Sequence, residues 1–133
     1  MREIRFRGFH KDEKGEKTIF LNEEEVKGTW VYGGIYHVLG TYRIKNMFAE
    51  FIVETDTIGE FIGLHDKNGN DIYEGDIMWD EGIFKSHVVY DEGAFGLKMC
   101  WGLKSITKHP KWNAFEIIGN IHDNPELVGV EKC

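Results

Sequence analysis

The chain has 133 residues, enough for one ordinary domain or two small modules sharing a core. Apolar residues at 41% and charged residues at 29% exclude a disordered tail, and a net charge of −7 argues against default binding to a phosphate backbone. Two cysteines make no disulfide framework, no charged-then-apolar leader opens the chain, and no apolar run approaches the ~20 residues of a bilayer span, so a reduced, cytoplasmic protein without a membrane partner is expected.

Arg2 to Arg7 alternates polar with apolar residues and predicts a strand with one wet face. DEKGEK, residues 12–17, predicts a polar turn with Gly15 near its tip, and TIFL, residues 18–21, then returns as the hairpin partner of the first strand. NEEEVKG, residues 22–28, predicts one helical turn or a loop, with Asn22 as N-cap and Gly28 as stop. Residues 29–44 are aromatic and β-branched but interrupted by Gly33, Gly34 and Gly40. These glycines fit bulges or tight turns, since each would cost a helix about 1 kcal/mol relative to alanine. FAEFIVET (48–55) and TIGEFIGL (57–64) predict further strands.

Later come IMWD (77–80), SHVVYD (86–91), AFGLKMCW (94–101) and AFEIIGNI (114–121), four short strand candidates separated by turns at Gly82 and Asp91-Glu92-Gly93. Short strands at this regular spacing predict a small barrel or a sheet curled on itself. DNPELV, residues 123–128, predicts a short helical turn. The chain therefore reads as mainly β with minor helix.

FIGLHDKNGNDIYEGDIMW, residues 61–79, is the densest polar stretch. A calcium loop needs glycine at its sixth position and a bidentate glutamate at its twelfth. Counted from Asp66, those positions hold Asp71 and Ile77, so the calcium reading fails. A turn fits better. Asn68-Gly69 is a preferred pair for a tight hairpin, in which both residues take positive φ, and Asp66 can accept a hydrogen bond from the backbone two residues on. Gly75, between Glu74 and Asp76, then supplies a second bend before a buried strand. Asp66, Asn68, Gly69, Gly75 and Asp76 are thus expected to be structural turn residues.

The run ETDTIGEFIGLHDKNGNDIYEGDI (54–77), together with TWVYG (29–33), EIRFRGF (3–9) and EIIGNIHDNPEL (116–127), resembles the YopX family of phage and prophage proteins. Ile62 stands where the family pattern usually has threonine, and His65 where lysine is common. The resemblance implies a mainly β architecture with an SH3-like barrel in the C-terminal half. On that basis residues 1–60 are expected to form an N-terminal β segment packing on the barrel, and residues 61–133 the barrel. The resemblance implies no activity, and no catalytic residue is carried over.

The residues themselves point to no catalytic, cofactor-binding or metal-ligating constellation. The six histidines show no paired ligand spacing, and neighbours such as His65-Asp66 and His122-Asp123 point to opposite faces of a strand. Ser86, Ser105 and Cys100 lie in no nucleophile pattern. A hydrolase built from carboxylates that meet only in the fold is the enzymatic alternative.

One segment runs against the overall charge. Residues 94–115 hold no acid, while Lys98, Lys104, Lys108 and Lys111 stand among Trp101, Trp112 and His109; the remainder carries 12 basic and 23 acidic residues, a balance of −11. Lysines interleaved with tryptophans make this segment a candidate single-stranded nucleic-acid contact, and Arg2, Arg5 and Arg7 form a second basic group. The bland reading puts the tryptophans in the core and the lysines outside.

The expected function is a non-enzymatic binding or assembly module, acting on an unidentified protein partner or on further copies of itself. The alternatives are nucleic-acid binding, which the net charge disfavours, and an acidic mimic that inhibits a host protein. The aromatic group Trp30, Tyr32, Tyr36 and Tyr42 discriminates: exposure favours interaction, and complete burial counts against it.

Overall fold

The computed structural model describes residues 3–80, 85–99 and 106–127. Of these, 61% lie in strands and 8% in short 3₁₀ turns, so the fold is mainly β. The chain divides into two compact units, Met1–Phe61 and Ile62–Cys133. No helix among the described residues is long and apolar enough to cross a membrane.

The first unit contains β1 (Phe6–Lys11), β2 (Lys17–Leu21), β3 (Glu24–Val38), β4 (Thr41–Lys45) and β5 (Glu50–Val53). Their antiparallel order is β5-β4-β3-β1, with β2 also on β3. This corrects the first hairpin. TIFL does return as a strand, but it pairs with β3, and so does β1, through Phe6↔Gly33 to Lys11↔Gly28.

The helical turn or loop expected over 22–28 shrinks to two residues. Asn22 (φ 51) and Glu23 (φ 68) form a two-residue turn with both residues left-handed, and β3 starts at Glu24. Asparagine at the first position of that turn is the legible signal, because such a turn closes a hairpin and does not open a helix. Gly33 and Gly34 do not break the strand either. A Cβ on Gly33 would stand 2.3 Å from the Lys45 carbonyl oxygen, so glycine there permits the close approach at which β3 passes from β1 to β4. Gly40, paired with Leu39 at positive φ, makes the expected tight turn into β4.

Alternation sorts the side chains of this unit. Val31, Ile44 and Val53 are buried together, with Phe6, Ile35, Phe51 and Ile58 packed against them. The sheet curls until β5 approaches β1: Glu54 N–H donates to Phe9 O (2.9 Å), and His10 Nδ1–H donates to Ile52 O (2.8 Å).

A 3₁₀ turn, Thr55–Thr57, leads into β6 (Gly59–His65), whose first residues pair with β1 and whose last pair with β7 (Asp71–Tyr73). In the second unit β8 (Asp76–Trp79), β9 (Lys85–Asp91), β10 (Ala94–Met99), β11 (Ile106–Lys108) and β12 (Glu116–Asn120) form a separate antiparallel sheet in the order β11-β10-β9-β8-β12. Three of these strands lie where periodicity placed them, and β12 occupies the middle of AFEIIGNI.

Ile62, Ile72, Met78, Val88 and Leu97 form the core of this unit, covered by Phe95, Trp112, Phe115 and Ile117. A smaller cluster around Ile77 includes Ile118, Ile121 and Leu127. Neither sheet closes into a barrel among the described residues. Gly82, Cys100, Ser105, Cys133 and Arg2 lie outside the described residues.

Candidate functional site

The polar run at 66–76 folds as two consecutive turns. Asp66 N–H donates to Asn70 O (2.9 Å) and Gly69 N–H to Asp66 O (3.0 Å), which closes a three-residue hairpin loop, Lys67-Asn68-Gly69. Gly69 has φ 83, whereas Asn68 does not take the positive φ expected of it. The loop is therefore a type I turn followed by a left-handed glycine, not a two-residue turn. The second bend is Glu74-Gly75, with Gly75 at φ 94; Tyr73 N–H donates to the buried Asp76 carboxylate across it (2.7 Å).

Asp66 is only 3% exposed. Its Oδ1 accepts from Asn68 N–H (2.9 Å) and Asn70 N–H (2.8 Å), and its Oδ2 accepts from Ile117 N–H (3.0 Å) and more weakly from Asn70 Nδ2 (3.5 Å). Burial pushes this carboxyl up, but the bonds from Ile117, Asn70 and Asn68 outweigh it and hold it below the usual carboxylate range. Lys67 N–H also donates to Phe115 O (2.9 Å), and Asn68 Nδ2 donates to Glu116 Oε1 (3.3 Å). The loop is thereby stapled to the start of β12. A carboxylate whose lone pairs are taken by backbone donors is poorly placed to ligate a cation or take a substrate proton.

Histidines distribute as single residues. His65 Nε2–H donates to Asp71 Oδ1 (2.9 Å) across the β6–β7 hairpin, so its carboxylate partner is not the adjacent Asp66. His87 is buried on β9, and its imidazole is pushed below 6.5, first by burial and then by the charge of Lys98, its register partner. Asn120 Oδ1 caps His122 and Asp123 N–H groups (2.9 Å each), so that pair belongs to a turn. Among the described residues no three His, Cys, Asp or Glu side chains converge as a metal site.

The basic segment is only partly brought together. Lys108 Nζ donates to Asp91 O (2.7 Å) and lies 3.6 Å from the Asp91 carboxylate and 3.7 Å from Glu92, so its charge is spent on the β9–β10 turn. Trp112 packs on the core, Lys98 is half-buried, and Lys111 is exposed beside a cleft that Trp112, Leu64 and His65 also line. Lys104 and Trp101 lie outside the described residues. Of the arginine group, Arg7 is buried against the Trp30 ring (5.2 Å) and Arg5 covers Phe61 (4.2 Å) while pairing with Glu3 (3.4 Å).

Among the described residues, most of the exposed large apolar side chains lie in the first unit. Tyr32, Tyr36 and Tyr42 are 45%, 36% and 37% exposed, and Trp30 is half-buried. Register separates them. Tyr36, Arg43 and Ile52 lie in one cross-strand row, and His37, Tyr42 and Val53 in the next, on the opposite face. Glu50 accepts the Tyr36 hydroxyl and pairs with Arg43 (3.6 Å), and that hydrogen bond, more than burial or the carboxylate charge, pushes the phenol up.

At the β4–β5 turn, Asn46 Oδ1 accepts from Phe48 N–H (2.8 Å) and Ala49 N–H (3.1 Å), and Asn46 Nδ2 donates to Tyr32 O (3.2 Å). That turn holds Met47 and Phe48, each 89% exposed. Phe48 was expected to open the strand over 48–55, but β5 starts at Glu50, and the asparagine at 46 is the signal for the turn that precedes it.

A family model described as YopX protein matches residues 5–129. No curated protein matches the chain.

Proposed function

The chain belongs to the YopX family, and on that footing we propose that it acts by binding rather than catalysis, as an assembly module of phage or prophage origin working in the bacterial cytoplasm. The observation that carries this reading is the pair Met47-Phe48, almost fully exposed on a turn locked by three Asn46 hydrogen bonds. Exposed apolar side chains on a mobile loop are ordinary; on a backbone already ordered they meet a partner without further loss of loop entropy. Val38, Ile52 and Tyr36 on the outer face of the hairpins are further exposed apolar side chains, rings and branched chains suited to a protein interface.

The second unit supports kinship with SH3-like barrels. In its five-stranded sheet, β11-β10-β9-β8-β12, the last strand in the chain flanks the first, and a 3₁₀ turn, Trp112–Ala114, precedes that last strand. Function is argued from the surface and not from this likeness.

The test is affinity capture from a bacterial lysate, with and without nuclease, using the native chain and the double variant Met47→Ser/Phe48→Ser. A protein retained by the native chain in both conditions and lost with the variant is the expected result. Equal capture by both chains would overturn the reading, and capture abolished by nuclease would transfer it to nucleic acid.

A further inference from the structure

A second surface of the first unit is built differently. A cleft of about 500 Å³ lies between the turn that precedes β2 and the face of β3, and Lys14, Glu16, Lys17, Thr29, Trp30 and Tyr32 line it. Trp30 and Tyr32 are two residues apart on one strand, so their side chains point to the same face and make an aromatic floor. The indole is held in place, with Phe9 meeting it edge-on (5.3 Å between centroids, 73°) and Arg7 stacking on it.

The wall opposite is held as well. Asp12 Oδ1 accepts from Lys14 N–H (3.0 Å), Asp12 O accepts from Gly15 N–H (2.8 Å), and Asp12 N–H donates to Lys27 O (2.9 Å). Gly15 lies backbone against backbone on Gly28, where an added Cβ would come within 2.3 Å of the Gly28 carbonyl oxygen. Floor and wall are both formed before any ligand arrives.

We infer that this cleft is a binding site for a neutral carbohydrate, a short run of pyranose units in an oligosaccharide. A pyranose presents an apolar C–H face and a rim of hydroxyl groups. The Trp30-Tyr32 floor suits the face, and its aromatic surface loses little side-chain freedom on contact. The rim needs donors and acceptors together, and the residues lining the cleft carry two ammonium groups (Lys14, Lys17) and two carboxylates (Asp12, Glu16).

Charge selects against the other stacking ligand. Lysines and carboxylates balance within the cleft, and the chain carries −7 overall, whereas a phosphate backbone calls for a cationic groove. The cleft opens to solvent. Neither Met47 nor Phe48 lines this cleft, so the two readings are tested by different side chains.

The test is titration of the full ¹⁵N-labelled chain with chitotetraose, cellotetraose and maltotetraose, read by amide chemical shifts at up to about 10 mM, which detects a Kd of about 1 mM. One of the three is expected to shift amides of residues 12–17 and 29–32, with an affinity that does not change with added salt. Tyr32→Ala, at an exposed ring, keeps the fold and lowers that affinity about tenfold; Glu16→Gln and Lys14→Met lower it less. Two outcomes overturn the inference: no shift with any of the three sugars, or shifts at these amides only from an eight-residue oligothymidine, weakening as salt rises.

Discussion

Asp66 is the residue on which the second unit's turn geometry converges. It gives up a solvated carboxylate, and backbone donors from its own loop and from Ile117 offset that cost. Asp66→Ala leaves those part-buried N–H groups without their acceptor and should cost about 1–3 kcal/mol, read as a lower urea midpoint at unchanged slope. Asp66→Asn keeps one acceptor oxygen but turns an amide donor toward N–H groups, so it should fall between the native chain and the alanine variant. Glu23 makes the opposite case. It sits at φ 68, a conformation that a residue with a Cβ adopts at a cost, and Glu23→Gly should raise stability by about 0.5–1 kcal/mol in the same assay.

Among the elements, β3 organises the first unit, because β2, β1 and β4 all pair with it in turn along its 15 residues. Its glycines are where that exchange happens. Gly33→Ala puts a methyl carbon against the Lys45 carbonyl, backbone against backbone, and no rotamer relieves it. A loss of about 3 kcal/mol is expected, with thermal unfolding as the check. Gly34→Ala, one position on, meets nothing within 4 Å and should be mild by comparison. The contrast separates a close approach from a generic penalty for replacing glycine in a strand. The Met47-Phe48 turn behaves otherwise again, since its side chains are exposed: the double serine variant should leave stability within about 0.5 kcal/mol of the native chain while changing what the protein captures.

For the whole molecule, acid stability should fall in two stages. His87 is held below its ordinary 6.5, so the unfolded chain binds a proton there that the folded chain refuses; stability is full above that pH and declines as pH drops from 6.5 toward the folded value. Asp66 is held below its ordinary 3.8, so its contribution persists above that value and is lost as pH falls from 3.8 through the folded value. Urea midpoints measured across the acid range should show both declines, with His87→Gln removing the upper one and Asp66→Asn the lower.

Much of this was legible because it is local. Alternation announced the strands, and Asn-Gly and Asp-Glu-Gly announced turns. Side-chain period and left-handed backbone preference depend on a residue and its neighbours, so they are written along the chain. Partner choice is not. That β1 pairs with β3 and not with β2, that Asp66 reaches a backbone group 51 positions away, and that Lys108 turns onto Asp91 all depend on which distant segments the sheet brings side by side. Exposure follows the same rule. Trp112 and Met47 look alike as apolar residues beside a polar neighbour, and only packing lays one against the core and leaves the other in water, because burial is a property of the assembled surface and not of the residue.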